Sequence, residues 1–304
     1  MTMTDNTNNH PPKSPIKILV CYHKPYPLPP IDDGVLLPIH VGKALSDADL
    51  NMQADNELNG QPCDNISDKN ASYAGLTAMY WAWKNLRKLY PDVKYVGLSH
   101  YRRLFAFDED RKFTEIINKY PSEMQDYRLD AGRIINILES GRVILAKRRV
   151  FGESIEHNYC MMHNSEDYRI LKRVIMEKFP DYYDSFVEFM EKNNKISLCC
   201  MFIMKWEDFE KYCEWLFAVM SEVEPLVPYR AYNQTQRRVF AFMAERLLSM
   251  YVMKNKMKPY YCSIYLYGDK RTSRRISAKL GGYLFRLIRF CRLELIFKLT
   301  NMRP

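Results

Sequence analysis

Four consecutive residues, His100-Tyr101-Arg102-Arg103, stand where an apolar run gives way to charge, and their types suit the gripping of an anion. A guanidinium presents its N–H donors in a rigid plane and takes phosphate oxygens through paired, charge-assisted hydrogen bonds. Two of them side by side match the charge of a diphosphate. The competing role is a surface salt-bridge pair with a stacked tyrosine. A second set, Asp64, Asn65, Ser67, Lys69 and Asn70 followed by Tyr73, Thr77, Trp81 and Lys84 along one side of the next helix, joins short polar side chains at a predicted helix start to aromatic rings. Such a start offers backbone N–H groups to a phosphate, and an aromatic face stacks on a base or a sugar. The alternative is an N-cap, from Ser67 or Asn70, ahead of a core-facing aromatic stripe, and both readings can hold at once.

Two further positions have the chemistry for proton transfer. Glu245 lies in an apolar helix, where a carboxylate facing a pocket would accept a proton from an attacking hydroxyl; an internal ion pair with Arg246 competes with that role. His163 precedes Asp167 by four residues, so on a shared helix face the carboxylate would hold the imidazole's tautomer and raise its pKa. A lone structural histidine is the alternative there.

These residues need a scaffold, and the pattern between them is that of an α/β protein. "IKILVCYHKP" (16–25) begins as a β-branched, apolar strand and stops at His23, Lys24 and Pro25. Residues 71–90 place Tyr73, Leu76, Tyr80 and Trp83 at helical spacing, which predicts one helix ending at Pro91. "VKYVGLSHYRRLF" (93–105) then reads as a buried strand that ends in a polar, strongly basic turn, on the side of an open α/β sheet where ligands sit. A strand over 141–150, helices over 164–192 broken by Pro180, a strand turning into a helix near Trp206, and a helix over 234–255 follow. The expected organisation is a polar leader over 1–14, one mixed α/β domain over 15–265 and a basic tail over 266–304.

Composition narrows the function classes. The hydrophobic fraction of 47% supports a packed core rather than disorder. No apolar run reaches the roughly 18 residues that a membrane span requires. The eight cysteines show no CxxC pair and no zinc-ligand spacing, which fits a reduced, cytoplasmic chain. Of the net charge of +9, the segment 270–304 supplies ten Lys or Arg against the single acid Glu294, leaving residues 1–269 neutral. A neutral body without a nucleic-acid motif argues against a DNA- or RNA-binding protein.

Together the segments "IKILVCYHKP", "DNISDKNASYAGLTAMYWAWKN", "YVGLSHYRRLF", the His163/Asp167 spacing, "MFIMKWEDFEKYCEWLF" and "AERLL" resemble a family of glycosyltransferases, long called a domain of unknown function, from bacterial capsular and exopolysaccharide clusters. The resemblance covers most of residues 16–255. It implies a GT-A-like (Rossmann-type) fold, a mixed sheet flanked by helices, that binds a nucleotide sugar in its first half and an acceptor in its second. The implied reaction moves a hexose, galactofuranose or galactose, from a UDP-linked donor. The donor-binding residues it suggests are His23, Lys24, Asn65, Lys69, Asn70, Thr77, Trp81, Lys84, His100, Tyr101, Arg102 and Arg103, with Glu245 and His163 as catalytic candidates. GT-A enzymes generally end the strand equivalent to "YVGLSHY" in Asp-x-Asp, which holds Mn²⁺ or Mg²⁺. Here Arg102 and Arg103 stand in that region, so no metal cofactor is expected, although Mn or Mg stays open. Gly75, Cys200 and Ala241 depart from the family's frequent Glu, Asn and Gly. The missing carboxylates also leave room for a catalytically silent scaffold in a polysaccharide assembly complex.

In the tail, Arg286, Arg289 and Arg292 share one sector of a helical wheel, about 120° wide, among Leu, Ile and Phe. Inserting an arginine at a bilayer centre costs about 2.5–3.5 kcal/mol, whereas each cation beside anionic lipid gains about 1 kcal/mol. The expectation is peripheral association with the inner face of the cell membrane, near a polyprenyl-diphosphate-linked glycan acceptor.

Overall fold

The computed structural model of the protein describes residues 14–31, 34–110 and 114–268; the leader, and the tail beyond Gly268, lie outside them. In chain order the strands are β1 (Ile16–Tyr22), β2 (Leu36–His40), β3 (Gln53–Ala54), β4 (Glu57–Leu58), β5 (Gln61–Pro62), β6 (Tyr95–His100), β7 (Arg103–Phe105), β8 (Ile116–Lys119), β9 (Arg142–Ala146), β10 (Arg148–Val150), β11 (Lys195–Ser197), β12 (Phe202–Lys205), β13 (Lys258–Cys262) and β14 (Ile264–Tyr267). The α-helices are α1 (Asn70–Tyr73), α2 (Leu76–Leu89), α3 (Ala131–Glu139), α4 (Ile155–Met162), α5 (Ser165–Lys178), α6 (Pro180–Lys192), α7 (Trp206–Val223) and α8 (Val239–Lys254).

The main sheet runs β13-β9-β12-β6-β1-β2-β3, with β7, β14 and β8 continuing off β6. Strand β1 is parallel to both β2 and β6, while β12 is antiparallel to β6 and β9. Every residue of β1 is buried, as expected of a predominantly apolar strand covered on both faces; its one charged residue, Lys17, is buried too and donates from Nζ to the Gly34 carbonyl oxygen. Its side chains alternate: Leu19 and Cys21 join the core with α2 and α5 to α8, whereas Ile16, Ile18, Val20 and Tyr22 join Ile134 and Leu138 of α3. Gly97 in β6 is a packing requirement, since a Cβ there would lie 2.8 Å from the Phe202 carbonyl oxygen of β12.

Some elements differ from the sequence reading: the strand expected over 141–150 divides into β9 and β10, which lie in different sheets, and the helix expected over 234–255 begins only at Val239. The helix predicted over 71–90 is broken: Ala74 takes φ 48 and ψ −129, and α2 starts only at Leu76. Asn70 stabilises the break, donating from Nδ2 to the Ala74 carbonyl oxygen at 2.8 Å and to Thr77 Oγ1 at 3.0 Å. Neither Ser67 nor Asn70 therefore acts as a side-chain N-cap. The basic turn expected at the end of the 93–105 strand is a tight hairpin, with His100 of β6 opposite Arg103 of β7 and Tyr101-Arg102 at the turn. At the other end of the domain, β14 carries the sheet through Tyr267, past the expected boundary at 265, by pairing with β7 and β8.

Candidate active site

β1 has β2 on one side and β6 on the other, so the chain reverses its direction of travel across the sheet at the β1/β6 pair. Beyond the carboxyl ends of these two strands lies a cleft of about 780 Å³. That volume admits a sugar nucleotide. His23 enters from the end of β1, and the hairpin supplies His100, Tyr101, Arg102 and Arg103. The broken helix adds Asn70, Ala74 and Gly75, the turn before β12 adds Cys199 and Cys200, and the start of α8 adds Arg237, Arg238, Ala241 and Glu245. Gly75, Cys200 and Ala241, the three departures from the family pattern, all line this cleft.

The cleft is cationic because its guanidiniums have no counter-charges. Among the described residues, Arg102, Arg103 and Arg238 form no ion pair and no side-chain hydrogen bond. Nε of Arg102 is shut away from solvent without a partner, and its guanidinium rests 5.3 Å from the Tyr101 ring. Glu245, the one carboxylate lining the cleft, is already engaged: Oε2 accepts from Arg246 Nη1 at 2.7 Å and Oε1 accepts the Cys199 N–H. Both histidines register the resulting field. Burial, then Lys24, Arg238 and Arg102, hold the His23 pKa below its usual value. His100 is driven to about 4, first by burial and further by Arg103 and Arg238, against its bond to the Cys199 carbonyl.

The arm 229–238 that carries Arg237 and Arg238 is tied back to α4 and α5. Tyr232 donates its hydroxyl to Asp167 at 2.7 Å and accepts from Asn164 Nδ2 at 2.9 Å, while Gln236 donates to the Met162 carbonyl oxygen at 3.1 Å. On the opposite wall, buried Asp55 accepts from Gly42 N and Lys43 N and receives the Ser67 hydroxyl. This holds Gly42 so close to Asn70 that a Cβ on the glycine would lie 2.8 Å from it.

Of the residues singled out from sequence, His23, Asn70, Tyr73, His100, Tyr101, Arg102, Arg103 and Glu245 come together in the cleft, and the others lie elsewhere for identifiable reasons. Trp81 is fully buried and donates Nε1 to the Glu57 carbonyl oxygen at 2.8 Å, so it is a core residue with no face left for a ligand. Thr77 is equally buried and hydrogen-bonded within the helix break. Lys84 caps the Trp83 ring at 3.3 Å on the outside of α2. Asn65 closes a turn, donating to the Cys63 carbonyl oxygen and accepting from Ser67 N. Lys69 is paired with Glu224 at 2.7 Å, and Lys24 lies 6.0 Å from the Tyr101 ring without lining the cleft. His163 and Asp167 do not form an acid–base pair. His163 ends α4, stacks on Phe242 at 4.0 Å and meets Gln236, whereas Asp167 belongs to α5 and takes Tyr232. The His163 pKa is accordingly lowered to about 4, by burial and then Arg246, rather than raised by a carboxylate.

Sequence reasoning missed Arg237 and Arg238, although a signal was present. They immediately precede α8, where the helix dipole disfavours cations, so two arginines there make electrostatic sense only with an anion close by.

No curated protein matches the chain. Among solved structures it is similar to the apo structure of WbbM, a bifunctional glycosyltransferase, with a TM-score of 0.72 and 26% sequence identity over 84% of this chain and 45% of that one. The chain therefore spans less than half the length of that structure, and the fold they share is the GT-A-like mixed sheet with flanking helices. The family model described as "Domain of unknown function (DUF4422)" matches residues 17–256, the whole of the sheet-and-cleft unit short of its last two strands, and the chain belongs to that family.

Proposed function

We propose that the protein is a glycosyltransferase whose cleft binds the diphosphate of a nucleotide sugar. The observation that carries this reading is the convergence of Arg102, Arg103 and Arg238, uncompensated by any carboxylate, at the switch point of an open α/β sheet. An anion of two or more charges is what such a set stabilises. The similarity to a glycosyltransferase structure supplies the class of reaction. Finer assignments belong to the same proposal: a hexose, galactofuranose or galactose, as the transferred group; UDP as the nucleotide; and a polyprenyl-diphosphate-linked glycan of a capsular or other surface polysaccharide as acceptor.

A divalent cation is the usual partner of a diphosphate on this fold, and the residues present do not fit one. Among the described residues no group of three or more His, Cys, Asp or Glu side chains could hold a metal. The end of β6 offers His-Tyr-Arg-Arg in place of carboxylates, and Glu245 has both oxygens occupied. In our reading Arg102 and Arg103 provide the positive charge that stabilises the leaving diphosphate. Incubation with UDP-, GDP- and CMP-sugars, with and without EDTA, tests this: nucleotide release that survives EDTA is expected, and release restored only by Mn²⁺ or Mg²⁺ contradicts it.

Membrane association through the basic tail is also part of the proposal. No helix among the described residues is long and apolar enough to cross a membrane. The full chain is expected to co-sediment with vesicles containing anionic lipid, and a chain ending at Gly268 to lose most of that binding. Equal binding by both contradicts a role for the tail.

A further inference from the structure

The carboxylate expected to take a proton, Glu245, has both oxygens committed, to Arg246 and to the Cys199 N–H. Cys199 continues the connection, for its carbonyl oxygen lies 2.7 Å from His100 Nε2. A carbonyl oxygen only accepts, so Nε2 carries the hydrogen, and in a neutral ring Nδ1 then bears the lone pair. That nitrogen has no hydrogen-bond partner among the described residues.

Two features of the backbone keep this arrangement open to the cleft. Gly75 faces the ring edge, where a Cβ would lie 3.1 Å from His100 Cε1 and 3.6 Å from Nδ1. Cys199 and Cys200 both adopt left-handed backbone, at φ 72 and 51, without being glycines. Strain of this kind persists only where surrounding contacts enforce it. Here the Glu245 carboxylate holds the Cys199 N–H, and the Cys199 carbonyl, in the next peptide unit, accepts from His100 Nε2. The groups facing the imidazole are Cys21 at the end of β1, Arg103 across the hairpin, Cys199 before β12 and Arg238 ahead of α8. Burial and the two arginines keep the ring neutral, with a pKa of about 4.

We propose that His100 Nδ1 is the proton acceptor of the transfer reaction, with Cys199 and Glu245 as the positioning residues that fix its tautomer. The assignment rests on the glycosyltransferase reading above. The acceptor hydroxyl oxygen bonds to C1 of the donor sugar as the bond from C1 to the diphosphate oxygen breaks. The diphosphate leaves with the electron pair, held by the arginines, and the hydroxyl proton passes to Nδ1, from which water later removes it. The bound diphosphate offsets Arg103 and Arg238, so the imidazolium is better tolerated at the moment it forms.

Two measurements test this. Long-range ¹⁵N NMR of histidine-labelled wild-type protein at pH 7 is expected to show His100 as the neutral Nε2–H tautomer; an Nδ1–H tautomer or an imidazolium overturns the assignment. His100→Gln keeps an amide donor for the Cys199 carbonyl but has no basic nitrogen, so kcat is expected to fall about 10²–10⁴-fold while donor Kd changes little. The acid limb of the wild-type kcat profile should vanish with it, which a purely structural role would not cause. Turnover at the wild-type rate in His100→Gln overturns the assignment. Wild-type protein that shows the expected tautomer yet binds no nucleotide sugar overturns the donor reading instead, and His100 loses its substrate with it.

Discussion

Arg102 stacks its guanidinium beside Tyr101 and leaves Nε buried and unpartnered, an arrangement that costs free energy unless a ligand completes it. The same accounting separates the other candidates. A side chain with its hydrogen bonds satisfied inside the protein, such as Trp81 on the Glu57 carbonyl or Asp167 on Tyr232, is serving the fold. His163 belongs with them, between Phe242 and Gln236. His163→Gln is therefore expected to keep kcat and donor affinity close to wild type, as steady-state kinetics would show; a loss comparable to that of His100→Gln would contradict it. The sequence made Arg102 and Arg103 conspicuous by their place at a strand end, but a surface salt-bridge pair would read the same there; only the lack of any ion pair to either, among the described residues, separates the two. Trp81 was conspicuous for a different reason: helical spacing states that a ring has a preferred side, and only the packing of β4 against α2 reveals that this side is the core.

At the scale of elements, strand identities were legible because β1, β6 and β12 are predominantly apolar runs, and helices were expected from near Trp206 and over 234–255, where α7 and α8 form. The break at Ala74 was not legible. Nothing in the sequence Ala-Gly forbids a continuous helix, and the bend is held by Asn70 and Thr77 and by the Asp55-Ser67-Gly42 contacts behind them, which are set by chain segments distant in sequence. This predicts a particular sensitivity. Asp55→Ala removes an acceptor shared by two backbone N–H groups and a hydroxyl, and is expected to cost about 3 kcal/mol, from about 1 kcal/mol or more for each group left unsatisfied. Urea denaturation reads the loss, and a midpoint equal to that of the wild type would show that the wall does not depend on Asp55. Gly97→Ala, which would drive a Cβ to 2.8 Å from the Phe202 carbonyl oxygen, is expected to destabilise by about 1–3 kcal/mol in the same experiment.

For the molecule as a whole, two histidines are held far below their ordinary pKa of 6.5, His100 and His163 each to about 4. The folded state binds fewer protons at these sites than the unfolded chain does. Their contribution to stability is thus complete above pH 6.5 and is lost as pH falls toward 4, at up to about 1.4 kcal/mol per pH unit for each ring. Asp167, Glu156 and Asp208 are shifted upward, chiefly by burial, and act in the opposite direction. Comparing wild type with His163→Gln isolates one ring: between pH 6.5 and 4 the variant should lose stability less steeply, and parallel curves would contradict the shift assigned to His163.

The sheet order, the cleft at its switch point and the unpaired cations around it converge on one claim, that the cleft binds the diphosphate of a sugar nucleotide. Calorimetric titration of UDP-, GDP- and CMP-sugars into wild-type protein and into an Arg102→Ala/Arg103→Ala variant, both in EDTA, tests it most directly. Wild-type protein should bind a nucleotide diphosphate sugar, and the variant should bind it about 10²–10⁴-fold more weakly, given roughly 1.5–3 kcal/mol for each charge-assisted hydrogen-bonding group removed. Equal affinity in the two proteins, or no binding of any donor by a wild-type protein that is folded, would contradict the account.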